Sequence, residues 1–216
     1  MNAKLLREGG RRFGLELDDG ALERFRCYMA ELQRWNRSIN LTAITQPDEI
    51  VCKHFIDSLS IVKLIEAGEH LLDVGSGAGL PGLAVAILRP DIALDSLDAV
   101  DKKVRFQRHI CRLLGLDQVT VRHGRIEQLS EQNPGHYDVV TSRGFRDLAR
   151  FIALACPLVR PGGRLVAMVS GAVDETTDDV LQICEQQQLK HHHTEQYSLP
   201  KDLGERKLAV FIRNLP

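Results

Sequence analysis

"DVGSGAGLPG", residues 73–82, sets four glycines and a proline within ten positions directly after the apolar HLL of 70–72. A glycine-rich turn between an apolar run and a helix lets the backbone approach a ligand with no Cβ in the way. Two cofactor classes compete for it. Gly77, Gly79 and Gly82 fit the dinucleotide pattern GxGxxG, while Asp73, Gly75, Gly77 and Gly79 fit DxGxGxG, the pattern of S-adenosylmethionine sites. The stretch alone does not choose between them.

The chain around it narrows the choice. Short apolar runs at HLLDV, IALDSL, QVTVRH, YDVVTS and GRLVAMVS alternate with helical stretches, as expected of parallel strands joined by crossover helices. Upstream, Leu22, Phe25, Met29 and Leu32 recur at helical spacing between Asp18 and Asn40. Val51, Phe55, Leu59 and Val62 do the same over Asp48 to Ile65. The last two runs, LKHHHTEQYSL and RKLAVFIRN, are joined only by the turn-like PKDLGE and predict an antiparallel hairpin on the sheet edge. The expected fold is α/β and Rossmann-like, a mostly parallel seven-stranded sheet with a terminal antiparallel hairpin. Residues 1–66 form a helical extension and 67–216 the sheet domain, packed as one unit. Dinucleotide domains tend to continue with parallel strands and helices, so the hairpin favours the methyl donor.

Three loops then describe adenosine plus an amino acid. Asp98 ends the second apolar run, where a carboxylate accepts hydrogen bonds from ribose hydroxyls in either cofactor class. Asp73 discriminates: it stands where a dinucleotide loop usually has an apolar residue, and it can answer an ammonium directly or through water. Pro81 suits the first turn of the helix that follows. After the third run, the backbone at Ile126 can donate to adenine N1 and Glu127 can accept from the exocyclic amine, although Glu127 also reads as a first-turn acid favoured by the helix dipole.

Bulk properties exclude several classes. With 44% hydrophobic residues in 216, the chain can bury a substantial core. Its net charge of -1 means that a nucleic-acid partner must be met by a local basic patch. The five scattered cysteines contain no CxxC pair, which fits reduced thiols and a cytoplasmic setting. No run is long enough to span a membrane, no leader is evident, and no metal site is expected.

Positive charge gathers in two places. Lys102, Lys103, Arg105, Arg108, Arg112, Arg122 and Arg125 face one acid, Asp117, and Arg143, Arg146 and Arg150 form a second group. Such a rim can track RNA phosphates, or it can be a solvated helix face. The candidate substrate contacts are Arg143, Arg146, Lys102, Lys103 and Arg105. At the fourth strand end the chain carries TSRGF, not the [ND]PP[FY] common among exocyclic-amine methylases, and Cys156 reads as a buried thiol rather than the nucleophile of carbon methylation. A ring nitrogen such as guanine N7 already offers a lone pair, so transfer needs placement and no general base.

WNRSINLT (35–42), HFIDS (54–58), DVGSGAGLPG, LDAVDKKVRF (97–106), GRIE (124–127), SRGF (142–145) and GERKL (204–208) together resemble the glucose-inhibited division protein B family, the bacterial small-subunit ribosomal RNA guanine-N7 methyltransferases. The resemblance implies N7 methylation of one guanine in the decoding region of 16S RNA, on naked RNA or in the small ribosomal subunit, with S-adenosylmethionine as donor. It also implies cofactor contacts at Gly75, Leu80, Ile126, Glu127 and Arg143, beside Asp73, Gly77 and Asp98 from the loop argument. Two positions depart from the family: Ser170 stands where a lysine is common and Arg146 where a small residue is common.

Other residues stay open between roles. Asn36, Asn40 and Thr42 can touch RNA or close a helix corner, with the corner preferred. His54 and Asp57, three apart, suit a satisfied polar contact, and His191 to His193 receive no function. Arg143 can meet the cofactor carboxylate, guanine O6 or a phosphate. Two competing functions are an NAD(P)-dependent oxidoreductase and a noncatalytic RNA-binding assembly factor. Binding of NAD against methyl donor separates the first, and single-turnover methyl transfer the second.

Overall fold

The computed structural model describes residues 1–145 and 147–215; Arg146 lies outside the described residues. Seven strands form one sheet: β1 (His70–Val74), β2 (Ala93–Asp98), β3 (Val119–His123), β4 (Tyr137–Arg143), β5 (Val159–Ser170), β6 (Leu189–Ser198) and β7 (Glu205–Arg213). Their order is β3-β2-β1-β4-β5-β7-β6. The first five pair in parallel, and order reverses between β1 and β4, where doubly wound sheets bind ligands at the strands' carboxyl ends.

The expected antiparallel hairpin forms at the sheet edge, with its second strand on the inside. β7 inserts between β5 and β6 and runs antiparallel to both, which leaves β6 as the edge. Burial explains the order. Leu208 to Phe211 of β7 are buried on both faces, whereas β6 carries exposed polar residues that an edge tolerates.

Crossover helices cover both faces: α5 (Gly82–Leu88), α6 (Asp101–Leu114), α7 (Ile126–Gln132), α8 (Leu148–Ala155) and α9 (Asp178–Gln186). Ahead of them stand α1 (Ala3–Arg12), α2 (Asp19–Ile39), and a helical stretch made of α3 (Pro47–Ile50), a π-helical segment Val51–Ile56 and α4 (Asp57–Leu59). α2 ends where its apolar stripe was bounded, at Asp18 and Asn40. Asp18 accepts from the Ala21 N–H at 2.6 Å, and Asn40 turns the chain at φ 47°. The second predicted helix is shorter than Asp48 to Ile65: it ends at Leu59, and a 3₁₀ turn (Val62–Leu64) follows. Ser58 and Ser60 hydroxyls donate back to the carbonyls of His54 and Asp57, a habit that loosens regular helix. Pro81 sits at the N-cap of α5, one position before the first turn.

The N-terminal helices share a core with the sheet. Phe55 lies between Phe25 and Tyr28 at ring distances of 5.0 and 5.4 Å, and the same apolar cluster runs from Leu6 to Leu208. A second cluster packs α7, α8 and α9 on the opposite face. Among the described residues, no helix is long and apolar enough to cross a membrane.

Candidate cofactor and substrate site

The glycine turn is held from three sides. Gly75 and Ser76 N–H groups donate to the Leu97 carbonyl at 2.9 and 3.1 Å, which ties the turn to the end of β2. Asp98 accepts from the Gly77 N–H on one oxygen and from the Val100 N–H on the other, each at 2.8 Å. From α6, the Gln107 amide donates to Ser76 Oγ and the Gly77 carbonyl, at 2.8 and 2.9 Å. From α2, the Tyr28 hydroxyl donates to the Ala78 carbonyl. Sequence reading missed Gln107 and Tyr28. Gln107 had a signal, as a polar residue on the buried stripe of α6 with Val104 and Ile110; Tyr28 had none.

Gly75 takes φ 67°, a left-handed conformation that turns its peptide toward open space at the strand end. The Phe145 ring faces it, 4.0 Å from where a Cβ would stand. A cleft of about 360 Å³ opens there, lined by Gly75, Asp98, Arg125, Ile126, Glu127, Phe145 and Arg150 among others. The structure thus brings together Gly75, Asp98, Ile126 and Glu127 from three separate loops. Each Asp98 oxygen retains a second acceptor site, so latching the loop leaves it able to receive hydroxyl donors. Ile126 opens α7, whose first-turn N–H groups lack partners within the helix. These groups fit a nucleoside: a positive-φ glycine cradle, a carboxylate at the second strand end, a free amide beside an exposed acid, and an aromatic wall.

Asp73 is placed differently from its expected role. It is fully buried behind the turn and does not line the cleft. One oxygen accepts from the Gly82 N–H at 2.7 Å, fixing the start of α5, while the other is buried with no partner. Burial pushes its pKa up to about 7, against the pull of the Gly82 N–H and Arg143. The folded pKa lies above the unfolded value. Asp73 therefore makes stability fall as pH rises from about 4 to about 7, with no further change above. Melting temperatures of wild type and Asp73→Asn across this window are expected to show that slope only in the wild type.

Leu80 and Arg143 do not line the cleft. Leu80 is buried in the N-terminal core, and its N–H donates to the Ser76 carbonyl at 2.8 Å. Arg143, the last residue of β4, turns the other way. Its Nη1 donates to the Lys53 carbonyl at 2.9 Å and lies 3.4 Å from Asp57 Oδ2, and its Nη2 donates to His54 Nδ1 at 3.3 Å. Burial and this guanidinium lower the His54 pKa to about 3, so the ring is neutral and its Nε2–H donates to Thr42 Oγ1 at 2.9 Å. Asp57 also accepts from the Tyr197 hydroxyl at 2.9 Å and lies 3.6 Å from Arg206. His54 and Asp57 are thus satisfied polar groups gathered around one arginine. A second cavity of about 350 Å³ opens beside them at the ends of β4 and β5.

The corner residues close structure. Asn36 donates to the Thr42 carbonyl and accepts from the Thr42 N–H, both at 2.9 Å. The basic rim is only partly free. Arg122 donates to buried Asp95 at 2.6 Å, Arg105 pairs with Asp101 at 2.7 Å, and Lys103 lies 3.9 Å from Asp98. Lys102, Arg125 and Arg150 are exposed, the last two at the cleft. Cys156 lies at the amino end of β5, opposite the cleft, and burial raises its thiol to about 11. Cys156→Ser is expected to cost about 1–2 kcal/mol of stability for a buried hydroxyl, measured by denaturant unfolding. Among the described residues, no group of three His, Cys, Asp or Glu side chains could hold a metal ion.

A family model described as rRNA small subunit methyltransferase G matches residues 21–207. The chain belongs to this family. Curated relatives carrying the name ribosomal RNA small subunit methyltransferase G include one from Geobacter metallireducens, 48% identical over 164 residues and covering 76% of this chain and 74% of its own length. Another, from Syntrophotalea carbinolica, is 38% identical over 203 residues and covers 94% of both. Among solved structures, a SAM dependent methyltransferase from Aquifex aeolicus superposes with a TM-score of 0.61 at 14% identity, over 81% of this chain and 97% of its own. M. jannaschii TYW2 in complex with AdoMet gives 0.58 at 12%, over 72% and 73%. At these identities the structural neighbours establish the Rossmann-like methyltransferase fold. Family membership identifies the chain as an enzyme of methyl transfer to ribosomal RNA, and it gives no support to the oxidoreductase reading.

Proposed function

We infer that this family member transfers a methyl group from S-adenosyl-L-methionine to N7 of a guanine in 16S ribosomal RNA, as naked RNA or within the small ribosomal subunit. The observation that carries the reading is that the family match over residues 21–207 encloses every residue lining both cavities at the carboxyl ends of the strands. The donor, when bound, supplies an electrophilic methyl carbon on a sulfonium. The chain supplies placement. Asp98 accepts from ribose hydroxyls, the Ile126 amide and Glu127 meet the adenine edge, and Gly75 and Gly77 let the backbone close on the amino-acid part. Asp73, with an unpaired oxygen behind the turn, provides negative potential for an ammonium, and a cationic ligand draws it toward its ionised form.

Guanine N7 carries a lone pair and loses no proton on methylation, so in-line placement and exclusion of water are what the protein contributes. RNA phosphates are met by Lys102, Arg125 and Arg150, with Lys103 and Arg105 at the margin of the same rim, and binding of this kind weakens with salt. The cytoplasm is the compartment that such a substrate requires. The test is to map N7-methylguanine on unmodified 16S RNA and on small subunits after incubation with purified protein and labelled donor. Label confined to one guanine supports the reading. Donor binding without transfer to either substrate overturns it in favour of a noncatalytic assembly factor.

A further inference from the structure

Two carbonyls of the glycine turn are claimed by helices that line no part of the first cleft. Tyr28 of α2 donates to the Ala78 carbonyl. The Gln107 amide of α6 donates to the Gly77 carbonyl at 2.9 Å and to Ser76 Oγ at 2.8 Å. Gln107 is fully buried, as is Ser96 of β2, whose hydroxyl donates to Gln107 Oε1 at 2.7 Å.

We propose that Gln107 is a positioning residue for the methyl donor: it fixes the Gly77–Ala78 peptide so that the Ala78 N–H is held ready for the carboxylate of the donor's amino-acid half. The inference rests on the function proposed above. Three observations carry it. First, the count of hydrogens fixes which way the amide faces. Ser76 Oγ spends its hydrogen on the Leu97 carbonyl at 3.2 Å, and Ser96 spends its own on Gln107 Oε1, so only the NH2 end of Gln107 can face the turn. Both amide hydrogens are then in use, and the side chain cannot turn over without losing them. Second, a trans peptide sets its N–H opposite its C=O, so drawing the Gly77 carbonyl onto α6 turns the Ala78 N–H away from that helix. Third, this N–H is the one left over. Between Gly75 and Gly82, the N–H groups of Gly75 and Ser76 go to Leu97, that of Gly77 to Asp98, those of Gly79 and Leu80 to Ser76, and that of Gly82 to Asp73. The Ala78 N–H has no acceptor among the described residues, although Ala78 is only 6% exposed. A buried N–H without a partner is costly, and an arriving carboxylate relieves it with a charge-assisted bond.

The test compares two ligands on the full chain by calorimetry: S-adenosylmethionine and its decarboxylated form, which keeps the adenosine, the sulfonium and the ammonium. Wild type is expected to prefer the carboxylate-bearing ligand by about 10-fold or more. Gln107→Leu removes every one of these bonds while suiting the apolar stripe of α6. It is expected to weaken S-adenosylmethionine about 10-fold and to leave the decarboxylated ligand within about twofold, so that the preference collapses. Ser96→Ala lets the amide turn over and is the gentler variant should the leucine protein fold poorly. It is expected to weaken S-adenosylmethionine about 2- to 5-fold with the same indifference toward the decarboxylated ligand. A general loosening of the turn would weaken both ligands alike, because Asp98 is bonded to the same turn. Parallel loss of both ligands overturns the proposal, as does an undiminished preference in both variants or a wild type that does not distinguish the two. A wild-type protein that binds neither ligand instead defeats the underlying function, a result distinct from these.

Discussion

Asp98→Ala is expected to reduce S-adenosylmethionine affinity by about 100- to 1,000-fold, the equivalent of about 3–4 kcal/mol at 1.4 kcal/mol per decade. Two losses combine. The first is the charge-assisted acceptor for the ribose, worth about 1.5–3 kcal/mol. The second is structural, because Asp98 accepts from both Gly77 and Val100 and is itself 4% exposed. Without it the Gly77 N–H loses its partner, and the turn is no longer latched to the start of α6. Asp98→Asn separates the two losses. An amide retains one acceptor for Gly77 but cannot also serve Val100 and the ribose as a carboxylate does, so an intermediate affinity is expected. Calorimetric titration of both proteins with the donor provides the check, and equal affinity for wild type and Asp98→Ala would remove Asp98 from the site.

Gly82→Ala is expected to weaken donor binding by about 10- to 100-fold and to destabilise the fold by about 1–3 kcal/mol, the usual cost of overpacking a well-filled interior. The cause is local. A Cβ at position 82 would stand 2.8 Å from Asp73 Oδ2, 3.0 Å from Asp73 Cβ and 3.2 Å from Leu94 Cδ1. The carboxylate that pins the start of α5 must move, and with it the turn that carries Gly75 and Gly77. The conformation of Gly82 is ordinary, so the effect comes from space and not from backbone strain. Unfolding by urea and donor titration on the same protein are the measurements. An alanine variant with wild-type stability and affinity would mean that Asp73 does not set the loop.

The cradle was legible in the sequence because it depends on local rules. Asp73 to Gly82 must leave β1, turn and enter a helix within ten residues, and only a glycine-rich run does this next to a ligand. Asp98, Ile126 and Glu127 follow by the same logic, since the ends of successive parallel strands lie side by side in a doubly wound sheet. The strands themselves were visible as apolar runs, and α2 as the helical stripe between Asp18 and Asn40. Less visible were the roles that depend on what packs across the molecule. The residues that hold the turn, Gln107 and Tyr28, come from α6 and α2; Gln107 stands out only as a polar residue on an apolar stripe, and nothing in the neighbours of Tyr28 marks it as facing the turn. Arg122 reads as part of a basic rim until Asp95, which also accepts from Tyr137, is seen to occupy it.

By itself, then, the sequence determined the α/β class, the turn at 73–82, the acids at the strand ends and the family, because each rests on spacing along one strand, turn or helix. Tertiary structure decided the insertion of β7 between β5 and β6, the retreat of Asp73 behind the turn, and the direction of Arg143. Those outcomes are set by which partner satisfies a buried group. Arg143 ends β4 at a point where it could turn toward either cavity, and it is aimed by His54, Asp57 and the Lys53 carbonyl, some ninety residues earlier in the chain. A guanidinium follows its acceptors, and only the folded chain brings those acceptors to one side.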